Sequence, residues 1–427
     1  MRTRNTADDY YYKGTEYVNI GRYKEALRSF NKALKINPGN SDAWVGHGNA
    51  LEELGRNTEA IKSYDKALAI NPEDPDAWLG RGNGLDELGR HGEAVASYDN
   101  VIRINPDDCA AWFNRGISLE RLILYDDAVA SYDTALEIKP DNCAAWFNRG
   151  NALEGLGRYD DALTSYDTAL RIDPDDPDGW FSRGHALEEL DRKEEAIESY
   201  DKALTINPEN SEAWFNRGNA FFGLGRYDGA VASYDNALGI NPGDSEAWFN
   251  RGNAFFGLGR YKEALISYDT TLKICPGNSD AWFNRSITLG HLKRYKEAVE
   301  SYDHLLNIGP GPANVWCNRG NMLLMLGRNE EAIASLDKAL LINPDYPDAW
   351  LDRGVAFSRL GRHDDGLISY DNAIRINPGD SMAWFNRSIA LSHLKRYKEA
   401  IESMEKSQKI IPDDSGKKQN RKRKQRL

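Results

Sequence analysis

The chain has 427 residues, 41% of them hydrophobic, a formal charge of −12 and four cysteines. No apolar run approaches the ~20 residues of a membrane-spanning helix, and the first nine residues are polar rather than signal-like. The acidic balance argues against a nucleic-acid-binding body, which needs a basic face. Cys109, Cys143, Cys275 and Cys317 show no Cys-x-x-Cys or Cys/His metal spacing, so free thiols in a reducing, cytoplasmic setting are expected.

Residues 1–6 read as a short arm carrying Arg2 and Arg4. From residue 7 a 34-residue period takes over. All 11 tryptophans, from Trp44 to Trp384, fall on one phase of it, with Tyr10 one step earlier. A proline column runs on another phase, from Pro38 to Pro412. The segment 211–227 returns letter for letter at 245–261. Twelve units therefore start at 7, 41, 75, 109, 143, 177, 211, 245, 279, 313, 347 and 381 and fill residues 7–414 without insertion. Each unit packs chiefly on its neighbours, which replaces the prior of two or three globular domains with an elongated core.

Within a unit the pattern predicts two helices, exemplified by 212–225 and 228–240. Asn or Asp before the first helix (Asn40, Asp74, Asp108, Asn142, Asp176, Asn210, Asn278, Asp380) can cap its free backbone donors. Pro75, Pro177 and Pro347 suit the first helical turn. Gly225 suits the connecting turn, and Asn241-Pro242 ends the second helix. Numbering each unit from its start, small residues at positions 8 and 20 (Gly218 and Ala230) allow close helix approach. Trp214, Phe221 and Leu224 are expected to face Val231, Tyr234 and Leu238. Ten arginines at position 7 (Arg81, Arg115 and so on to Arg387) and ten aspartates at position 25 (Asp65 to Asp371) suggest a repeated ion pair within or between units. One link departs from the rest: Gly309-Pro310-Gly311-Pro312 loses the capping side chain, which predicts a change of pitch or a weak joint. Tyr10, Tyr11 and Tyr12 mark the first unit as atypical. The segment 415–427, with seven Lys and Arg, reads as a basic, disordered tail.

The Trp, Gly, Tyr, Ala and Pro columns at these spacings resemble the tetratricopeptide repeat over nearly the whole chain. The arginine at position 7 departs from that family, which usually has an apolar residue there. The resemblance implies an all-α, right-handed superhelical α-solenoid of twelve helix-turn-helix repeats, with positions 2, 5, 6, 9, 12 and 13 lining a concave surface.

Asparagines recur on that stripe: Asn114, Asn148, Asn216, Asn250, Asn284, Asn318 and Asn386 at position 6, and Asn49, Asn83, Asn151, Asn219, Asn253 and Asn321 at position 9. An amide both donates and accepts, so a ladder of them can grip an extended peptide backbone; the bland alternative is solvation of helix surfaces. The ladder is similar to the superhelical repeat domain of O-linked N-acetylglucosamine transferase, without any catalytic domain. The family's two-carboxylate clamp is not expected, because its lysines at positions 2 and 5 are missing. Positions 12 and 13 are acidic early on (Glu52, Glu53, Asp86, Glu87, Glu120, Glu154, Glu188, Glu189) and become apolar at Phe222 and Phe256. A protein or peptide partner with a basic segment followed by an apolar one is expected. No phosphate loop, nucleophile motif or metal-ligand set appears, so neither catalysis nor a cofactor is expected. The remaining alternatives are nucleic-acid or anionic-surface binding through the tail alone, and a regulatory role beside a separate enzyme.

Overall fold

A computed structural model of the chain describes residues 6–410. The arm at 1–6, apart from Thr6, lies outside that range, as do the end of the last repeat and the basic tail. The described residues form α-helices joined by short turns, from Ala7–Asn19 to Tyr397–Ile410. They alternate as one helix of 12 or 13 residues and one of 14, a pair to each repeat. The chain divides into two units, Met1–Glu209 and Asn210–Leu427. Each holds six helix pairs in which each helix packs on its partner and on the next pair.

The repeat's helix limits follow its chemistry. In repeat 7 the helices are Ser211–Gly223 and Tyr227–Ile240, so the first ends before the expected Gly225. Leu224 already caps it, and Gly225 takes φ +70°, a left-handed turn natural to glycine. The Asx caps form as expected: Asn210 Oδ1 accepts from Ala213 N at 3.0 Å, and Asp244 Oδ1 accepts from Glu246 N and Ala247 N. Pro75, Pro177 and Pro347 open their helices.

The core column is not the tryptophan column. Tyrosine at position 24 supplies the largest fully buried side chains, Tyr64 through Tyr370. Glycine at position 8 lies under that ring: a Cβ on Gly150 would come within 2.5 Å of Tyr166. Ala at position 20 is likewise buried, as at Ala162 and Ala230. The tryptophans are all half-buried, and Trp44, Trp78, Trp282, Trp316 and Trp350 pack against the core from its edge, while Phe215 and Phe221 pack around Val231 and Tyr234. Their indoles lie at the joints between repeats. Trp146 Nε1 donates to the carbonyl of Pro140 at 2.9 Å, and the same bond recurs from Trp44 to Trp384. An amphipathic indole suits this place, with its ring on apolar surface and its N–H on a polar group.

The expected Arg–Asp pairs form, and they lie between repeats. Arg149 Nε donates to Asp133 Oδ1 of the preceding repeat at 2.6 Å. Its Nη1 donates to Ser165 Oγ of its own repeat at 2.6 Å, and its guanidinium sits 5.7 Å from the Trp146 ring centre. One planar side chain thus joins three helices. Arg81, Arg115 and Arg183 repeat the arrangement in the first unit, and Arg251, Arg353 and Arg387 in the second.

The link at 309–312 is structurally distinct. The helix Tyr295–Ile308 ends on extended Gly309 without the backbone bond that closes the other second helices, and Pro312 offers no capping side chain. Trp316 has no indole–carbonyl bond among the described residues. Leu306 packing over Gly311, and buried Leu305 and Val315, hold this joint by apolar contact instead.

Candidate peptide-binding site

The first helices carry positions 6, 9 and 12 towards the phenol ends of the buried tyrosines. The result is a repeated polar relay. Asn250 Nδ2 donates to Asn219 Oδ1 of the preceding repeat at 3.3 Å, and Tyr234 Oη donates to the same oxygen at 2.7 Å. The next step repeats it: Asn284 Nδ2 and Tyr268 Oη both reach Asn253 Oδ1, at 2.9 and 2.8 Å. In the first unit Asn114 and Tyr98 meet at Asn83 Oδ1, while Tyr64 and Tyr166 reach Asn49 and Asn151. Asn148 and Asn318 are half-buried beside the phenols of Tyr132 and Tyr302. Asn321 donates to Asp352 at 3.1 Å, and its own carbonyl oxygen is buried without a partner. Asn216 and Asn386 lie half-buried on their first helices.

The ladder amides are therefore partly committed to the fold. Among the described residues the Nδ2 groups of Asn219 and Asn253 and the Oδ1 atoms of Asn250 and Asn284 have no protein partner. Those are the hydrogen-bonding groups left over for another molecule.

In the first unit the position-12 carboxylates cap the same tyrosines. Tyr64 donates to Glu52 at 2.7 Å, Tyr132 to Glu120 at 3.0 Å, Tyr166 to Glu154 at 2.7 Å and Tyr200 to Glu188 at 3.0 Å. Burial pushes the pKa values of Glu52, Glu120 and Glu188 above the usual carboxylate range. Glu154 also accepts from His185 Nδ1, and that bond raises the histidine's pKa. Asp86 bonds His91 Nδ1 at 2.6 Å and accepts from Ser118 Oγ at 2.7 Å. Glu53, Glu87 and Glu189, at position 13, are exposed.

In the second unit Phe222 is 36% exposed and packs 5.4 Å from the Tyr227 ring. Phe256 is half-buried against Tyr261 and His291, and those two rings stack at 4.5 Å. Both phenylalanines line a cleft of about 290 Å³ with Tyr227, Tyr268, Ile287, Asn253, Asn284 and Gly257. Gly257 keeps it open, since a Cβ there would lie 2.9 Å from the Tyr227 ring. Two ladder amides and both predicted aromatics thus share one cleft. Tyr227, Tyr268 and Ile287 were not expected at the site, although aromatics recurring at positions 17 and 24 were a usable signal.

Among the described residues no group of three or more His, Cys, Asp and Glu side chains converges as a metal site, and no helix is long and apolar enough to cross a membrane. The four cysteines are free thiols.

Paired helices repeating every 34 residues make this an all-α solenoid of repeats. The chain belongs to the tetratricopeptide repeat family, whose repeats build protein-interaction scaffolds. A family model described as tetratricopeptide repeat matches residues 11–75, 147–211, 181–245, 215–279 and 351–415, and two others of that description match 51–114 and 267–300. A further model, described as TPR repeat, matches 125–157 and 320–361. An uncharacterized protein of Methanocaldococcus jannaschii is 47% identical over 45 residues, which is 10% of this chain and 52%, about half, of that relative. Among solved structures, YrrB, described as a TPR protein with an unusual peptide-binding site, shares 24% identity over 44% of this chain and 96% of its own (TM-score 0.41). A tetratricopeptide repeat protein from Parabacteroides merdae shares 19% over 58% and 98% (TM-score 0.43). The APC/C hetero-tetramer Cut9-Hcn1 shares 15% over 96% and 95% (TM-score 0.40).

Proposed function

We propose that this chain binds an extended peptide segment of a partner protein along its first-helix faces. The observation that carries the reading is the cleft in the second unit, where uncommitted groups of Asn253 and Asn284 stand beside the rings of Phe222 and Phe256. The amides would bond the peptide backbone and the rings would receive an apolar side chain. The half-buried carboxylates of the first unit favour a basic segment, since opposite charge speeds capture and selects partners.

The test is selection of peptides from a random display library, followed by calorimetry on purified protein. Phe222→Ser and Asn284→Ala should each weaken the selected apolar peptides by about tenfold, the loss of ~1.4 kcal/mol, at a temperature where the helical circular-dichroism signal of both variants equals that of wild type. Undiminished affinity in both variants would overturn the reading for this cleft.

A further inference from the structure

A second cavity lies at the start of the first unit, and its chemistry differs from that of the ladder. It measures about 340 Å³. At position 6, where most repeats carry asparagine, repeat 2 has Gly46. A Cβ on Gly46 would come within 2.6 Å of the Phe30 ring, so that buried ring occupies the floor where an amide would otherwise stand. Tyr11, Val18 and Val45 continue the apolar wall.

The mouth carries Asp42, Asp74 and Asp76, and no lysine or arginine lines the cavity. Asp74 Oδ1 is occupied as a helix cap, accepting from Asp76 N and Ala77 N at 3.1 Å each. Asp42 and Asp76 are exposed and form no ion pair among the described residues. Other acids of these repeats do pair with arginine, Glu59 with Arg56 and Asp65 with Arg81. The three carboxylates do not converge on a point that could hold a metal ion. Separated acids over an aromatic and aliphatic wall suit a larger organic cation, with a flexible apolar stem and a charged head.

We propose that this cavity receives one lysine or arginine side chain of a bound peptide. The stem lies against Tyr11, Val18 and Val45, and the head is held between Asp42 and Asp76. The proposal rests on the reading that the first unit binds a basic segment, and it assigns one place where that segment is anchored.

The test uses the full chain and a fluorescein-labelled nonapeptide of three Gly-Ser-Arg units, followed by fluorescence anisotropy at moderate salt. The matching citrulline peptide has nearly the same shape without the charge. Wild type should bind the arginine peptide and not the citrulline peptide. The double variant Asp42→Asn/Asp76→Asn should weaken binding at least about tenfold, as expected for loss of charge-assisted contacts. A control, Asp107→Asn/Asp141→Asn, removes the same charge from exposed loops of the same unit and should change affinity less than about twofold, as for distant screened charges. Equal weakening by the two variants would overturn the pocket while leaving a diffuse acidic attraction intact. No binding of the arginine peptide by wild type would overturn the basic-segment reading itself, and the pocket with it.

Discussion

Arg149 shows how one side chain can define a joint. Its fork serves Asp133 and Ser165 at once, and its guanidinium stays near Trp146. Lysine has a point charge and cannot hold both partners in a plane. Arg149→Ala should cost about 1.5–3 kcal/mol, the range for hydrogen bonds to charged groups, and Arg149→Lys should recover less than half of it; urea denaturation measures both. Gly150→Ala should be destabilising by about 1–3 kcal/mol through overpacking against Tyr166. The raised carboxylates predict a pH trend. For Glu52, Glu120 and Glu188 the folded pKa lies above the unfolded one, so the folded state binds the extra proton. Their contribution to stability is full below the ordinary carboxylate pKa and is lost as pH rises through the raised values. Replacing all three by glutamine, which can still accept from the phenols, should remove that part of the trend. Melting temperatures of wild type and triple variant between pH 4 and 7 test this: a wild-type advantage that does not shrink with rising pH contradicts the assignment.

At the scale of helices, the period, the Asx caps, the Pro stops and the Arg–Asp pairing were legible in the sequence, because each depends on spacing along one helix or on a fixed phase between neighbours. The Tyr–Glu–Asn relay was not. It joins residues 12 and 15 apart on two antiparallel helices, and only side-chain direction brings them together. The tryptophans were half legible: their rings pack on the core edge, but the bond of each indole N–H to a carbonyl at the joint, as from Trp146 to Pro140, does not show in the spacing. The cleft at Phe222 and Phe256 was half legible, since the change from acid to aromatic was visible but the Tyr227 wall came from the start of the second helix. The 309–312 link was legible as a departure, and its physical consequence can be tested. It lacks the side-chain cap, the helix-closing bond and the indole bond found at other joints, and its apolar contacts do not protect backbone amides by hydrogen bonding. Amides of 313–316 should therefore exchange hydrogen faster than those of 279–282, the equivalent turn where Asn278 caps the helix. Equal protection of the two turns would mean that apolar packing alone secures the joint.

At the scale of the chain, stability should be local. Each described helix packs on helices next to it in sequence, within each unit, and the longest-range polar bonds span about one repeat, such as Arg103 to Glu73 and Asn321 to Asp352. A solenoid of this kind behaves as a row of coupled segments, in which intrinsic repeat stability and nearest-neighbour interfaces add. Damage at one interface should then spread only as far as the coupling carries it. Arg149→Ala provides the probe, because it breaks one interface in the middle of the first unit without altering either helix's apolar face. Hydrogen exchange read by mass spectrometry should speed up in the repeats on either side of that interface, across residues 109–176. Repeats 8 to 11, in the second unit, should keep wild-type exchange rates at the same denaturant concentration. A uniform increase along the repeats would instead require one cooperative transition for residues 6–410, and would place the coupling between repeats well above their individual stabilities.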